Sequence, residues 1–274
     1  MIVLWRRIRG AVGGIGPTEW AMLAIETLAV VGGIVIAFQL QEWASDRREA
    51  RQVDRISAAL LEEARTATAF IWQNVRSWRE TIEEGEAVAA TLAAGECPSA
   101  EALAALQRLD HYDTVDPPSG VYDELVATAG LSSLEDPSAR LGVDFYRNAR
   151  SFYLAENDNF RAQRWQIVRE DDPAVRIVRD ADADLGKRVE IDPERVCADP
   201  EFSDRVAKIV GDQAYFQELL RELYFTDAAF MCVALAHSLG QKCSDPEWFK
   251  AVVGEEDARM IDRVGRERQQ QVDL

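Results

Sequence analysis

Hydrophobic positions form one unbroken apolar stretch, followed by a long region in which they recur with helical spacing. The stretch is Trp20 to Phe38, where Glu26 is the single ionisable side chain. About 20 residues rising roughly 1.5 Å each match a hydrocarbon core of about 30 Å, so a helix here can cross a bilayer. The chain after Trp43 is too polar to enter the hydrocarbon core as well. We therefore predict one transmembrane helix over residues 20–43, with Trp20 and Trp43 at the two membrane–water interfaces.

The segment before the span, residues 1–19, interleaves apolar residues with Arg6, Arg7 and Arg9. This pattern suits a short amphipathic segment that lies at the membrane interface beside anionic lipid. A cleaved signal peptide also has a basic start, but its apolar core is only about 7–15 residues long. The longer core predicts an uncleaved signal anchor.

The arginines that flank the span are nearly balanced, with three before it and Arg47, Arg48, Arg51 and Arg55 after it. The latter are interleaved with acidic residues and precede a long domain, and long domains translocate largely regardless of their own charge. We therefore predict that the N-terminus is cytoplasmic and that the rest of the chain lies outside the cytoplasm.

Beyond the span, apolar residues recur every three or four positions from Ile56 to Ile82, which predicts one long amphipathic helix. No proline interrupts it, so it can continue from the transmembrane helix until Gly95 and Pro98 end it. Period-two alternation around a turn-rich stretch predicts a small β-hairpin at about 174–192. Further helices are predicted from Ser99, over 121–130, from Pro137, over 199–240 and over 245–266.

These elements predict a mainly α fold: a transmembrane helix continuing into a long amphipathic helix, then an antiparallel helical bundle with one hairpin insertion. The helical soluble domain is predicted over 44–265, and the polar residues 266–274 are predicted to form a frayed tail. The 274-residue chain has a formal net charge of −17, all of it in residues 44–274. A domain this acidic repels phosphate backbones, which argues against nucleic acid as a partner.

Four cysteines, an even number, are compatible with an oxidising compartment. Cys197 and Cys243 each begin the sequence Cys-x-Asp-Pro-Glu-aromatic, in which the Asp is expected to cap a helix and the Pro to be its first residue. We expect a disulfide between Cys197 and Cys243, with Cys97 as the competing partner for either. Cys232 lies in an apolar run and is expected to be a buried free thiol.

No catalytic motif is present: the sequence lacks a Gly-x-Ser-x-Gly elbow, a phosphate-binding loop and a dinucleotide fingerprint. His111 lies in a polar linker, and His237 follows an apolar run that predicts a core position. Because no cysteine pair has the two-residue spacing of a zinc or redox site and only these two histidines exist, we expect no metal. Because no catalytic or cofactor-binding motif is present, we also expect no cofactor and no enzyme activity. Six aromatic residues are expected to pack in the core rather than to line a ligand pocket: Phe145, Tyr146, Phe152, Tyr153, Phe160 and Trp165.

Within the span, Ala29, Gly33 and Ala37 form a stripe of small residues, and Glu26 lies on the same helical face. A bare carboxylate in lipid is costly, so Glu26 should face a partner helix, be protonated or lie near headgroup depth. The stripe favours close packing against a second copy or another membrane protein. Two alternatives stay open: Glu26 takes part in ion or proton coupling, or it only reaches the headgroups and the stripe reflects an alanine-rich composition.

Two further patterns are Glu26 with the branched run 28–38, Gln39 and Trp43, and Tyr122-x-x-Leu125-x-x-x-x-Gly130-Leu131 with Leu141 and Tyr146 downstream. In these patterns residues 1 to about 160 resemble a domain-of-unknown-function family of single-pass bacterial inner-membrane proteins. The chain departs from that family at Gln41-Glu42, where asparagines are more frequent, and shows no similarity from about residue 170. The resemblance implies an inner-membrane anchor and a helical periplasmic domain, and it implies no activity.

The patterns together favour a non-enzymatic, membrane-anchored helical module for interaction or sensing that self-associates through its transmembrane helix. Its expected partners are the lipid bilayer and either a second copy or another membrane protein. The alternative is a subunit of an ion- or proton-coupled membrane complex that uses Glu26.

Overall fold

The computed structural model describes residues 17–110, 114–128, 130–163, 167, 173–181 and 187–272. The chain divides into two compact units, Met1–Arg55 and Ile56–Leu274. This division agrees with burial, because Ser57 and Leu60 are the first buried residues among those described in the long first helix.

The fold is mainly α, as predicted. Helix α1 spans Pro17–Ala93 without interruption, and the predicted hairpin is present as strands β1 and β2. The remaining helices are α2 Ala100–Ala105, α3 Gly120–Thr128, α4 Pro137–Gln163, α5 Pro193–Cys197, α6 Pro200–Glu218, α7 Thr226–Ser238, α8 Glu247–Val253 and α9 Glu255–Val272. A π-helix, Leu219–Phe225, connects α6 to α7, and short 3-10 turns occupy Leu106–Asp110 and Leu131–Ser133.

The first unit contains the N-terminal part of α1. Its large apolar side chains are exposed, among them Leu28 at 71%, Phe38 at 68% and Leu40 at 60%. The helix continues through Gly32 and Gly33 without a kink-forming proline, in accord with the predicted pattern.

The second unit has two hydrophobic cores. The first lies around α7, in which every residue from Asp227 to Ala236 is buried and which packs against α4 and α9. Helix α1 contributes the predicted apolar face to this core, including Leu60, Ala64 and Ile71. The second core joins the end of α1 to α2, the hairpin and α6, through residues such as Ile82, Leu103 and Phe202.

The hairpin pairs β1 Val175–Arg179 with β2 Lys187–Ile191 in antiparallel register, with Val175 opposite Ile191 and Arg179 opposite Lys187. Ile191 is buried in the second core, whereas Ile177 is exposed at 41%. The Val175–Ile191 end of this two-stranded ribbon therefore attaches it to the helices, an attachment that it needs because an isolated hairpin is marginally stable.

The disulfides are Cys97–Cys197 and Cys232–Cys243. The expected Cys197–Cys243 bridge was wrong, and so was the expected free thiol at Cys232. The physical reason is that Cys197 packs against the second core while Cys232 and Cys243 lie in the first. Cys232 and Cys243 are therefore joined within the first core, whereas the exposed Cys97, the competing partner, pairs with Cys197 beside the second core.

Two predictions about the C-terminal helices were also wrong. The single helix expected over 245–266 is divided at Gly254, whose positive φ of 96° is a conformation that glycine adopts readily. The tail expected to fray from residue 266 is instead helical through Val272. Its Arg268 is held by an ion pair with Asp227 of α7, which fastens the last helical turns to the core.

The aromatic residues of α4 are buried only in part. Tyr146, Tyr153 and Phe160 are in the first core, and Tyr153 stacks on both Tyr224 and Phe216. Phe152, expected to be buried, is 46% exposed. Trp165 lies outside the described residues.

Candidate functional sites

The apolar segment of α1 is the first candidate site. Among the described residues, one helix segment is long and apolar enough to cross a membrane, Ile25–Ser45, and none of it is buried. In water, this much exposed apolar surface is unfavourable at roughly 25 cal/mol per Å². By length and composition, the segment is therefore a candidate membrane span.

Four positions of the predicted association stripe lie on one side of this segment. Glu26, Ala29, Gly33 and Ala37 are all exposed, and a Cβ placed on Gly33 would meet no heavy atom within 4 Å. The face is therefore open, and its small side chains would let a second helix backbone approach closely.

The predicted interfacial residues are described only in part. Trp43 is 57% exposed, and the guanidinium carbon of Arg47 lies 4.5 Å from its ring centroid. An indole and a guanidinium stacked in this way form an amphipathic pair suited to headgroup depth. Trp20 lies on α1, but the structure does not describe its side chain. Arg6, Arg7 and Arg9 lie outside the described residues.

A cleft in the second unit is the second candidate site, which we call the arginine cleft. It has a volume of about 830 Å³ and is lined by α1, the π-helix, α7 and α9. Trp72 and Phe225 form its apolar base, with ring centroids 4.8 Å apart. Four arginines line it: Arg76, Arg79, Arg221 and Arg268.

Two of these arginines, Arg76 and Arg268, form ion pairs with carboxylates of the protein itself. Arg76 Nη1 lies 3.0 Å from Asp257 Oδ2, which also accepts a 3.0 Å hydrogen bond from the indole nitrogen of Trp72. Arg268 donates to the buried Asp227 and lies 5.1 Å above the Phe145 ring. These contacts fix the orientation of the aromatic base and of α9.

The other two arginines are more available to a ligand. Among the residues that the structure describes, Arg221 forms an ion pair with its neighbour Glu222 alone, and both side chains are more than half exposed, so this ion pair contributes little. The exposed Arg79 forms no hydrogen bond or ion pair with any residue that the structure describes. The cleft lining carries four arginines and the carboxylates Glu222, Asp257 and Glu267, and Asp227 pairs with Arg268 from outside the lining, so the charges balance locally in a strongly acidic domain.

The π-helix forms one wall of the arginine cleft. Arg221, Glu222 and Phe225 all come from this seven-residue element. π-Helical turns are rare and are found frequently at functional sites.

Sequence reasoning missed the arginine cleft. Its residues come from positions 72–79, 221–226 and 257–271, so their proximity depends on how three helical segments pack. The one local signal was Arg76 and Arg79, which are three residues apart and therefore share a face of α1. The π-helix had no signal, because its sequence continues the helical pattern on both sides.

The remaining titratable candidates do not assemble into a site. His237 is exposed rather than in the core as predicted, because it follows Ala236 at the point where buried α7 leaves the bundle. His111 lies outside the described residues. Among the residues that the structure describes, no three His, Cys, Asp or Glu side chains gather closely enough to hold a metal ion.

Comparison with known proteins identifies no relative: no family model, curated protein or solved structure matches the chain. The resemblance of residues 1 to about 160 to single-pass bacterial membrane proteins therefore stays a prediction, and the site geometry must support any functional proposal.

Proposed function

We propose that the protein is a single-pass membrane protein whose helical domain serves interaction or sensing rather than catalysis. The observation that carries this proposal is the apolar segment Ile25–Ser45, which is exposed along its whole length. Inserted in a bilayer, its apolar side chains would leave water while its helical backbone groups stay hydrogen-bonded internally. The Trp43–Arg47 pair would then lie at one interface.

The proposed location is the inner membrane of a bacterium, with the N-terminus cytoplasmic and the domain in the periplasm. Both disulfides support this orientation, since disulfides persist in oxidising compartments and are rare in the cytoplasm. They lie in residues 97–243, all on the C-terminal side of the span.

Reporter fusions test this topology. Alkaline phosphatase joined to Leu274 of the full chain should be active, because the enzyme folds only outside the cytoplasm, and green fluorescent protein at the same position should be dark. The reverse pattern would place the domain in the cytoplasm and contradict the proposed orientation. Recovery of both fusions in the soluble fraction would contradict the anchor itself.

We further propose that the span self-associates through Glu26, Ala29, Gly33 and Ala37. The open face at Gly33 supports this, because only a small residue there allows two helices to pack closely. Association of two transmembrane helices would bring the helical domains of two copies close together. This arrangement suits a module that senses a ligand or assembles with a partner.

Neighbouring glycines provide a matched experiment. Gly33→Leu should reduce co-purification of two differently tagged full-length copies, whereas Gly32→Leu, about 100° round the helix, should have little effect. A Cβ at either position meets no heavy atom within 4 Å, so neither change disturbs the fold of the single chain. Equal effects of the two substitutions would contradict the stripe as the contact face.

Glu26→Gln distinguishes the alternative role in ion or proton coupling. If the substitution alters proton uptake by vesicles containing the protein while association is unchanged, the coupled-complex alternative is favoured. If proton uptake is unchanged and association falls, Glu26 acts as a hydrogen-bonding group in the helix contact.

A further inference from the structure

The arginine cleft combines an apolar base with arginines on an acidic domain. Its base is apolar, with Phe225 and the half-buried Met260 and Val264, and its rim carries Arg79 and Arg221. Residues 44–274 carry the whole net charge of −17, so a site whose arginines equal the neighbouring carboxylates in number is a local exception.

The size of the cleft indicates a small molecule. Its volume of about 830 Å³ lies within the range of roughly 300–1,000 Å³ that is typical of small-molecule sites. A bare inorganic anion would contact the rim and leave the apolar base exposed to water. A ligand with a flat apolar part could pack against Phe225 while its charged group reaches the arginines.

The arginines of the cleft indicate that the polar group of its ligand is an anion. Arg79 has no partner among the described residues, and Arg221 has only the exposed Glu222. Arginine donates two parallel hydrogen bonds to carboxylate, sulfonate and phosphate groups, which makes it the preferred side chain for such anions. The lining carboxylate Asp257 already accepts hydrogen bonds from Arg76 and Trp72.

We propose that the arginine cleft binds a small organic anion, with Arg79 and Arg221 holding its charged group and Phe225, Met260 and Val264 holding its apolar part. This names a ligand class for the sensing role proposed above. The cleft lies wholly within residues 56–274, so its ligand binding can be measured whether or not the proposed topology holds.

Binding of 1-naphthalenesulfonate to the full-length chain in phosphatidylcholine nanodiscs tests the proposal by titration calorimetry. We expect one site per chain, weakened about tenfold by Arg79→Gln, since a charge-assisted hydrogen bond is lost. Arg259→Gln is the matched control: Arg259 is an exposed arginine of α9 outside the cleft, and its substitution removes the same charge. It should change the affinity less than twofold.

Three further ligands test separately the role of the arginines, the role of the apolar base and the assignment to a small molecule. The neutral 1-naphthalenesulfonamide and inorganic sulfate should each bind at least tenfold more weakly than 1-naphthalenesulfonate. Equal binding of the sulfonamide would overturn the role of the arginines, and equal binding of sulfate would overturn the role of the apolar base. Tighter binding of an octaglutamate peptide would overturn the small-molecule assignment in favour of an acidic protein segment.

Two other results would overturn the proposal as a whole. One is the absence of measurable heat from the wild-type chain at millimolar 1-naphthalenesulfonate. The other is an equal loss of affinity in Arg79→Gln and Arg259→Gln, which would show that only the overall charge of the domain matters.

Discussion

Arg268 of α9 donates a hydrogen bond from Nε to Oδ1 of Asp227 in α7 over 2.9 Å. The Asp227 side chain is 2% exposed and the Arg268 side chain 27% exposed, so the carboxylate has lost nearly all its contact with water. Burial raises the pKa of the Asp227 carboxyl, and the hydrogen bond and positive charge of Arg268 partly oppose that rise. The ion pair compensates a buried charge next to the arginine cleft.

Arg268→Ala should lower the free energy of unfolding by about 3 kcal/mol, because removing one partner leaves an uncompensated buried charge. Asp227→Asn in the same chain should recover much of this loss, since it removes the charge that needs compensation. Thermal unfolding of the full-length variants in detergent measures both effects. If Arg268→Ala and Arg268→Ala/Asp227→Asn are equally stable, the inferred role of Arg268 in compensating the Asp227 charge is contradicted.

The same pair predicts a pH dependence. Because the folded pKa of Asp227 lies above its unfolded value, the folded state binds the proton more tightly. The contribution of Asp227 to stability is therefore greatest below the unfolded pKa and falls as pH rises through the folded pKa. In Arg268→Ala the fall should be larger and extend to higher pH, whereas Arg268→Ala/Asp227→Asn should lack it. The measurement is the unfolding temperature of the wild-type chain and the two variants from pH 3 to 8. The inference is wrong if all three show the same dependence on pH.

Glu63 of α1 caps helix α3 from outside that helix. Its two carboxylate oxygens accept the backbone N–H groups of Val121 and Tyr122, at 2.7 and 2.9 Å. Glu63→Ala should destabilise the fold by about 1–2 kcal/mol, because two N-terminal donors of a short helix lose their acceptor. Amide hydrogen exchange over 121–128 should accelerate.

Glu86→Ala is the control for the Glu63 variant. Glu86 is an exposed residue of the same helix and forms no hydrogen bond or ion pair with the described residues. Its substitution should change stability by less than about 0.5 kcal/mol. Faster exchange over 121–128 in both variants would show that α3 responds to charge in general rather than to the cap.

Helical spacing predicted much of this architecture. The apolar face of α1 was predicted from the period alone, and Leu60, Ala64, Ile71 and Val75 are buried as expected. Local capping chemistry succeeded once: Asp199 accepts from the N–H of Glu201 at the start of α6. At the matching sequence it failed, because Asp245 accepts from Lys242 in the preceding turn and α8 has no side-chain cap. The same local sequence therefore serves two different turns, depending on what precedes it.

Cysteine pairing and the arginine cleft depended on tertiary packing and were beyond local patterns. The nearly identical contexts of Cys197 and Cys243 suggested a shared bridge, but these residues belong to different hydrophobic cores. Likewise, nothing near Arg79 indicates that Phe225 would lie in the same cleft. Local patterns determine which face of a helix is buried, whereas the neighbour it is buried against depends on the whole chain.

Gly265 marks a close approach between α9 and α7. A Cβ there would lie 2.5 Å from the Ala229 carbonyl oxygen and 2.6 Å from Val233 Cγ2. Gly265→Ala should therefore cost about 2 kcal/mol through overpacking against backbone that cannot easily move. Gly211→Ala on α6 should instead stabilise by about 0.5–1 kcal/mol, since a Cβ there meets nothing within 4 Å and alanine favours the helix. Shifts of the same sign in thermal unfolding would contradict the close contact.

The two disulfides should differ in their resistance to reduction. Cys97 is exposed and Cys197 half-buried, whereas Cys232 is 0% and Cys243 1% exposed. A thiolate must reach a sulfur atom to exchange with it, so access should decide the order of reduction in the native protein. Brief treatment with dithiothreitol followed by iodoacetamide should alkylate Cys97 and Cys197 first, as mass spectrometry would show. Cys232 and Cys243 should react only when the first core opens, and alkylation of all four at one rate would mean that reduction requires global unfolding.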